Sequence, residues 1–223
     1  GDAEGARQPV GLLALAGADR EQVVLAGRDA VLGDEDRHAL VERAHDVAAG
    51  LARVDHGDVV IGRDGFAGIE ADTQLRILAA AMQFVASAPY RPRADALEAA
   101  LERALAGGSV TLMGCRIEHQ GAEMRVFREY AAVAGTVGAA DDGELWDGRW
   151  KVGGAGVAGL AVRALGPTGM AKAGEAPRAA LESVPALFDG ANLVACRRIG
   201  FGPAYEETLS PPGGEFPARL IVH

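Results

Sequence analysis

Residues 76–93 read RILAAAMQFVASAPYRPR, and this stretch decides the first half of the fold. Leu75, Leu78, Ala79, Met82 and Val85 recur at helical spacing and share one face. Asp72 is placed to cap that helix. Pro89 disfavours helical geometry at the residue before it, so the helix is predicted to end near Ala88. Pro92 presets the entry to a second helix, with Leu97, Leu101 and Leu105 on one stripe and Gly107-Gly108 as its stop. Two helices are thus joined by a rigid Pro-Tyr-Arg-Pro-Arg corner.

Upstream, Asp34 or Asp36 is placed to cap a helix whose Leu40, Val41, Ala44, Val47, Ala48 and Leu51 follow the same period. Residues 58–70 read as a hairpin: Val59-Val60-Ile61, an Asp64-Gly65 turn, and a return over Phe66 to Ile69. In the opening segment, Val10 to Ala16 reads as strand or short helix and Val23 to Ala26 as strand.

Downstream of Gly108 the period changes from helical to extended. Val110 to Glu118 and Glu123 to Tyr130 read as strands joined around His119-Gln120-Gly121. Residues 131–143 read as a loop, and Trp146 to Val152, Leu160 to Ala164 and Asn192 to Ile199 as strands. Pro177 to Ser183 favours a short helix, and the tail from Pro203 reads as loop with a last strand at Leu220 to Val222. The pattern predicts an α+β fold: a mainly helical domain with a small β-hairpin over 1–108, then a smaller β-rich α+β module over 109–223.

Composition sets the bounds. At 49% hydrophobic and 5% aromatic, the chain supports a core of Ala, Leu and Val, with 31 glycines. No apolar run reaches the roughly 20 residues of a membrane helix, and the start lacks a secretory pattern, so a cytoplasmic location and no membrane partner are expected. Cys115 and Cys196 form no C-x-x-C pair and read as buried thiols. The net charge of −9 argues against a strong stand-alone nucleic-acid binder. Its distribution is uneven: residues 1–75 carry 15 acids and 7 bases, whereas residues 76–163 carry 10 of each, nearly all the bases being Arg.

The literal G-x-G-x-x-G at Gly154–Gly159 lacks the helix that a dinucleotide site needs and reads as a glycine loop. His38 and His45 have no third ligand near them, and His119 has neither a nucleophile nor an oriented acid beside it. Asp141-Asp142 and Glu206-Glu207 read as solvated loop charge. No catalytic residue, cofactor site or metal site is assigned.

The helix–corner–helix unit is followed by Thr111-Leu-Met-Gly-Cys-Arg116, Trp146-Asp-Gly-Arg-Trp150, Val162-Arg-Ala-Leu-Gly166, Pro185-Ala-Leu-Phe-Asp-Gly190 and Leu193-Val-Ala195. In this order, over roughly residues 36–200, the chain resembles the C-terminal region of alphaproteobacterial tRNA(Ile)-lysidine synthetases. These enzymes use ATP to join lysine to the anticodon wobble cytidine of an isoleucine tRNA. The family's Ser-Gly-Gly-x-Asp-Ser pyrophosphate loop is not in this sequence. The resemblance therefore implies a non-catalytic region whose partners are tRNA(Ile) and its own N-terminal PP-loop domain, with ATP and magnesium belonging to that other domain. A homodimer is left open.

The resemblance also implies that such C-terminal modules grip the acceptor-stem side of the tRNA. The residues suited to this are Arg91 and Arg93, presented in fixed directions by Pro92, with Tyr90 available to stack on a base. Arg103, Arg116, Arg125 and Arg128 complete the candidates, the last three alternating along strands and expected to share a sheet face. The rival reading is a protein-interaction or structural module, which the acidic first third favours.

Overall fold

The computed structural model describes residues 33–172 and 178–221. The strand and helix readings at Val10 to Ala16 and Val23 to Ala26 lie outside these residues. Helix α1 (Asp34–Leu51) begins after Gly33, with no side-chain cap, so Asp34 and Asp36 lie inside the helix instead of capping it. Its apolar stripe buries Val41, Ala44 and Ala48.

The hairpin that follows is displaced from its expected place. Strands β1 (Ala52–Asp55) and β2 (Asp58–Gly62) pair antiparallel around His56-Gly57, with both turn residues at positive φ. That is the backbone of a two-residue hairpin turn whose twist suits the flanking strands. Asp64-Gly65 instead lies in a short helix, α2 (Arg63–Ala67). β2 is an interior strand, paired with β1 on one side and with Glu123–Arg128 on the other, and Asp58 to Ile61 are buried.

Helix α3 (Ala71–Ala86) is the centre of the molecule. Its sequence shows one apolar face, yet residues 73–82, Phe84 and Val85 are all buried. α1, the next helix and the sheet all meet it, and Phe216 packs on its Phe84 with ring centroids 6.1 Å apart. Glu70 occupies the N-cap position, and Asp72 sits in the first turn, where it accepts a hydrogen bond from the buried Arg76 at 2.7 Å. Helix α4 (Ala94–Leu105) buries Leu97, Ala100, Leu101 and Ala104, leaving Leu105 exposed.

Strands β3 (Val110–Leu112), β4 (Cys115–Gln120) and β5 (Glu123–Arg128) follow. The single strand expected over Val110 to Glu118 is two, folded back at Met113-Gly114. The sheet order is β1-β2-β5-β4-β3. The pairing of Val59 with Val126 carries this sheet across the boundary expected at Gly107-Gly108. That glycine pair ends α4 but divides no core, and the first core takes in residues from Ala44 to Val126 together with Phe216 and Leu220. The mainly helical domain is thus completed by strands from the second half.

A short helix, α5 (Tyr130–Val133), and strand β6 (Gly138–Ala139) occupy the segment read as loop. β7 (Trp150–Gly153) pairs with β11 (Glu206–Leu209), a strand inside the tail expected to be loop. β8 (Ala161–Ala164) follows the glycine loop and pairs with β9 (Pro185–Asp189), whose other neighbour is β10 (Asn192–Ala195). Helices α6 (Gly166–Gly169) and α7 (Arg178–Leu181) lie between β8 and β9. The strand expected through Ile199 stops at Ala195, and Arg197–Ile199 form a 3-10 turn. Trp146, Trp150, Val152, Val162, Leu187 and Tyr205 form a second core. The last strand expected at Leu220 to Val222 is instead a 3-10 turn over Ala218–Leu220, with Val222 outside the described residues.

Candidate nucleic-acid interface

The corner between α3 and α4 is built from both ends. Ser87 ends α3 in the left-handed region, and Gln83 Nε2 donates to the Pro89 carbonyl at 3.3 Å. Pro92 is buried, and Arg93 in extended conformation starts α4. Between these anchors Tyr90 is 70% exposed, and Arg91 and Arg93 are exposed beside it. An exposed aromatic ring with guanidinium neighbours has the chemistry of a stacking platform for an unpaired base.

Arg103 lies in the last turn of α4, ten residues from Arg93, which at helical rise is about 15 Å. The exposed side of α4 between them carries Asp95, Glu98 and Glu102. Positive charge is therefore grouped at the corner and does not run along the helix.

The three strand arginines have other work. Register pairs Arg116 with Phe127 and Glu118 with Arg125, which places Arg116 and Arg125 on one sheet face; Arg128, opposite Cys115, is on the other. The shared face expected for all three holds for two. Arg116 is partly exposed and pairs with Glu118 at 2.6 Å. Arg125 is buried, donating to Asp58 at 2.8 Å, Asp55 at 2.6 Å and Gln120 at 3.2 Å. Arg128 donates to the Gly114 carbonyl and pairs with Asp147, both at 3.0 Å. Arg125 and Arg128 are internal cross-links, because their donors are already committed to carboxylates and carbonyls.

These pairs extend into a network joining the two cores. Trp146 and Trp150 exchange backbone hydrogen bonds at 2.8 and 3.0 Å, folding Trp146–Trp150 into a tight loop. Gly148 turns at φ 64°, and a Cβ there would lie 3.2 Å from Ser87 Cβ, so the loop docks on the end of α3. Arg149 is buried, reaches Asp147 at 3.4 Å, and donates to the Gly57 carbonyl at 2.6 Å in the β1–β2 turn. Arg198 adds a link to Asp55 at 3.5 Å.

Burial pushes the Asp58 carboxyl up to about 7 against the pull of Arg125. Burial also opposes charge on Asp55, but the hydrogen bond from Arg125 and the charges of Arg198 and Arg53 outweigh it and hold its pKa low. Burial lowers Arg149 despite Asp147 and Asp58. Cys115 and Cys196 are buried, and their thiols are pushed up to about 12 and about 11 by loss of solvent, which removes thiolate reactivity at neutral pH.

His38 and His45 lie on α1 beside Glu42 and Asp46, and His119 Nε2 meets the Ala104 carbonyl at 2.6 Å at the end of α4. Among the described residues no three His, Cys, Asp or Glu side chains are placed to hold a metal ion, and no helix is long and apolar enough to cross a membrane. One shallow cavity of about 270 Å³ lies beside Trp146 and Trp150, with Asp142 and Glu144 in its lining, a charge unsuited to phosphate.

Sequence reasoning missed Arg219, whose Nη2 donates to the Ala88 carbonyl at the base of the corner at 2.8 Å. A contact 131 residues apart in sequence leaves no local signal. Arg149 and Asp147 had a signal, the Trp-Asp-Gly-Arg-Trp string, but not one that revealed a link between cores.

The chain is thus an α+β protein that displays an arginine–tyrosine corner and ties Arg125, Arg128 and Arg149 into buried ion pairs. Comparison with known proteins agrees with the motif reading. The chain is 31% identical over 223 residues to the tRNA(Ile)-lysidine synthase of Ruegeria pomeroyi, covering 98% of this chain and 52% of that protein. The likeness to tRNA(Ile)-lysidine synthetases is therefore shown along nearly the whole chain, which spans about half the length of this curated relative. No protein-family model and no solved structure matches.

Proposed function

We propose that this chain is the non-catalytic, tRNA-positioning C-terminal region of a tRNA(Ile)-lysidine synthetase. In this reading a PP-loop domain performs the chemistry in the cytoplasm: ATP adenylates the wobble cytidine, and the amine of lysine displaces AMP. The present residues hold isoleucine tRNA so that the distant base enters that site, where orientation contributes to rate. The observation that carries the reading is the 31% identity along 98% of the chain, in a sequence without Ser-Gly-Gly-x-Asp-Ser. The Tyr90–Arg93 corner supports it by offering exposed guanidiniums and an exposed ring together.

The test is a titration of an isoleucine tRNA transcript against the chain across salt concentrations. Binding that weakens with salt is expected, and Arg91→Ala with Arg93→Ala should lower the salt slope by about one unit each. Equal affinity and equal slope in the double variant would remove the corner from the interface. The protein-interaction reading draws on the surplus of 15 acids over 7 bases in residues 1–75. It predicts no tRNA binding even at low salt.

A further inference from the structure

Residues 216–220 pack back on the helices of the first half. Phe216 and Leu220 are buried in the first core, and the 3-10 turn Ala218–Leu220 sits against α1 and α3. This brings Arg219 under the corner. Its Nη2 donates to the Ala88 carbonyl at 2.8 Å, and its Nη1 donates to the Pro212 carbonyl. The guanidinium lies against Gly213, where a Cβ would stand 3.2 Å from Cζ and Nη1, so the absent side chain makes room for it. Ala88 is the residue before Pro89 and follows the C-terminal end of α3. The helix dipole is negative there and favours a cation.

We infer that Arg219 is a positioning residue for the Tyr90–Arg93 corner, and that residues 211–221 act with the corner as one unit. The inference rests on the reading that the corner meets RNA. Prolines at 89 and 92 stiffen the corner from within; Arg219 fixes its base to a segment anchored in the core by Phe216 and Leu220. A base held in place reduces the ordering required of Tyr90 and Arg91 when they bind. Arg219 donates to the Pro212 and Ala88 carbonyls, and in this inference it acts through the corner it anchors and not through a phosphate contact of its own.

The experiment compares the full chain with Arg219→Ala, Arg219→Lys and Arg91→Ala in two measurements. The first is amide hydrogen exchange at Ser87 and Ala88, whose N–H groups are hydrogen-bonded to the Phe84 and Gln83 carbonyls at the base of the corner; the second is titration of an isoleucine tRNA transcript across salt. In Arg219→Ala, exchange at these two amides is expected to rise about tenfold while the centre of α3 stays protected. Affinity is expected to fall about three- to tenfold with the salt slope unchanged. Arg219→Lys keeps the charge and a donor and should recover part of both effects; it also serves if the alanine variant does not fold. By contrast, Arg91→Ala should lower the slope by about one unit.

Unchanged exchange at Ser87 and Ala88 in Arg219→Ala would overturn the positioning role whatever the RNA result. A slope reduced as in Arg91→Ala would make Arg219 a direct contact and overturn it as well. If exchange rises while no variant, Arg91→Ala included, changes tRNA binding, the corner's RNA role fails and the positioning role falls with it, leaving the anchor as structure only.

Discussion

Arg125→Met tests whether an arginine chosen from sequence as an RNA contact is instead a structural cross-link. Methionine retains an apolar stem and removes the head group, which holds Asp58 and Asp55 from a side chain only 6% exposed. Asp58, itself 6% exposed, has a carboxyl pushed up to about 7. Below that pH it is protonated, so the variant loses the charged hydrogen bonds to Asp55 and Gln120, about 1.5–3 kcal/mol.

Above pH 7 the wild type holds Asp58 ionised against Arg125, whereas the variant must keep the proton or bury an unpaired carboxylate. An acid whose folded pKa exceeds its unfolded value contributes stability that is full at low pH and lost as pH rises through the folded pKa. In the wild type that loss is spent between about pH 4 and 7; in the variant it continues upward, by about 1.4 kcal/mol per pH unit. Urea denaturation at about pH 5.5, 7 and 8.5 should show a destabilisation that grows from neutral to alkaline pH. A loss under about 0.5 kcal/mol at all three values, as at an ordinary exposed arginine, would refute the cross-link and return Arg125 to the surface candidates.

Three further outcomes follow from the same geometry. Tyr90→Ala should leave stability within about 0.5 kcal/mol, since the ring is 70% exposed, yet weaken tRNA binding by about 1–3 kcal/mol if a base stacks there; calorimetry and titration check the two halves. Gly148→Ala should destabilise by about 1–3 kcal/mol in urea, because φ is 64° and the new Cβ meets Ser87 at 3.2 Å; a neutral result would mean the loop is not docked on α3. A double-mutant cycle between Arg128 and Asp147, each replaced by Ala, should give a coupling of about 0.5–3 kcal/mol, and additivity would show the 3.0 Å pair to be energetically idle.

Much of the helical half was legible because its signals are local. Pro89, Pro92 and Gly107-Gly108 stop or start chain geometry wherever they stand, and the two helices they bracket lie where the periodicity places them. The hairpin failed for the same reason: Asp64-Gly65 is a turn dipeptide by habit, while the turn is His56-Gly57, held against Trp150 and Arg149 from another part of the chain. Burial all around α3 was illegible because a helix's own period cannot show how many neighbours surround it. At the site, exposure of Tyr90, Arg91 and Arg93 followed from a proline-bounded corner. The roles of Arg125 and Arg128 depended on Asp55, Asp58 and Asp147, which no spacing rule connects to them.

The division of the arginines sets what kind of RNA contact this chain can make. Pairing Arg125, Arg128 and Arg149 with Asp55, Asp58 and Asp147 withdraws both signs from the surface together, so the surface stays acid-rich in a chain of net charge −9. Arg103 is parted from the corner by acids along α4. An interface built on Arg91, Arg93 and Tyr90 neutralises few phosphates, and its salt slope should be about 2, far below that of a broad basic groove. Such a contact would give direction more than affinity, which is what the proposed positioning role requires. A measured slope of about 5 or more for this chain would mean that RNA lies across a surface other than the corner, and the assignment of Tyr90, Arg91 and Arg93 would have to be abandoned.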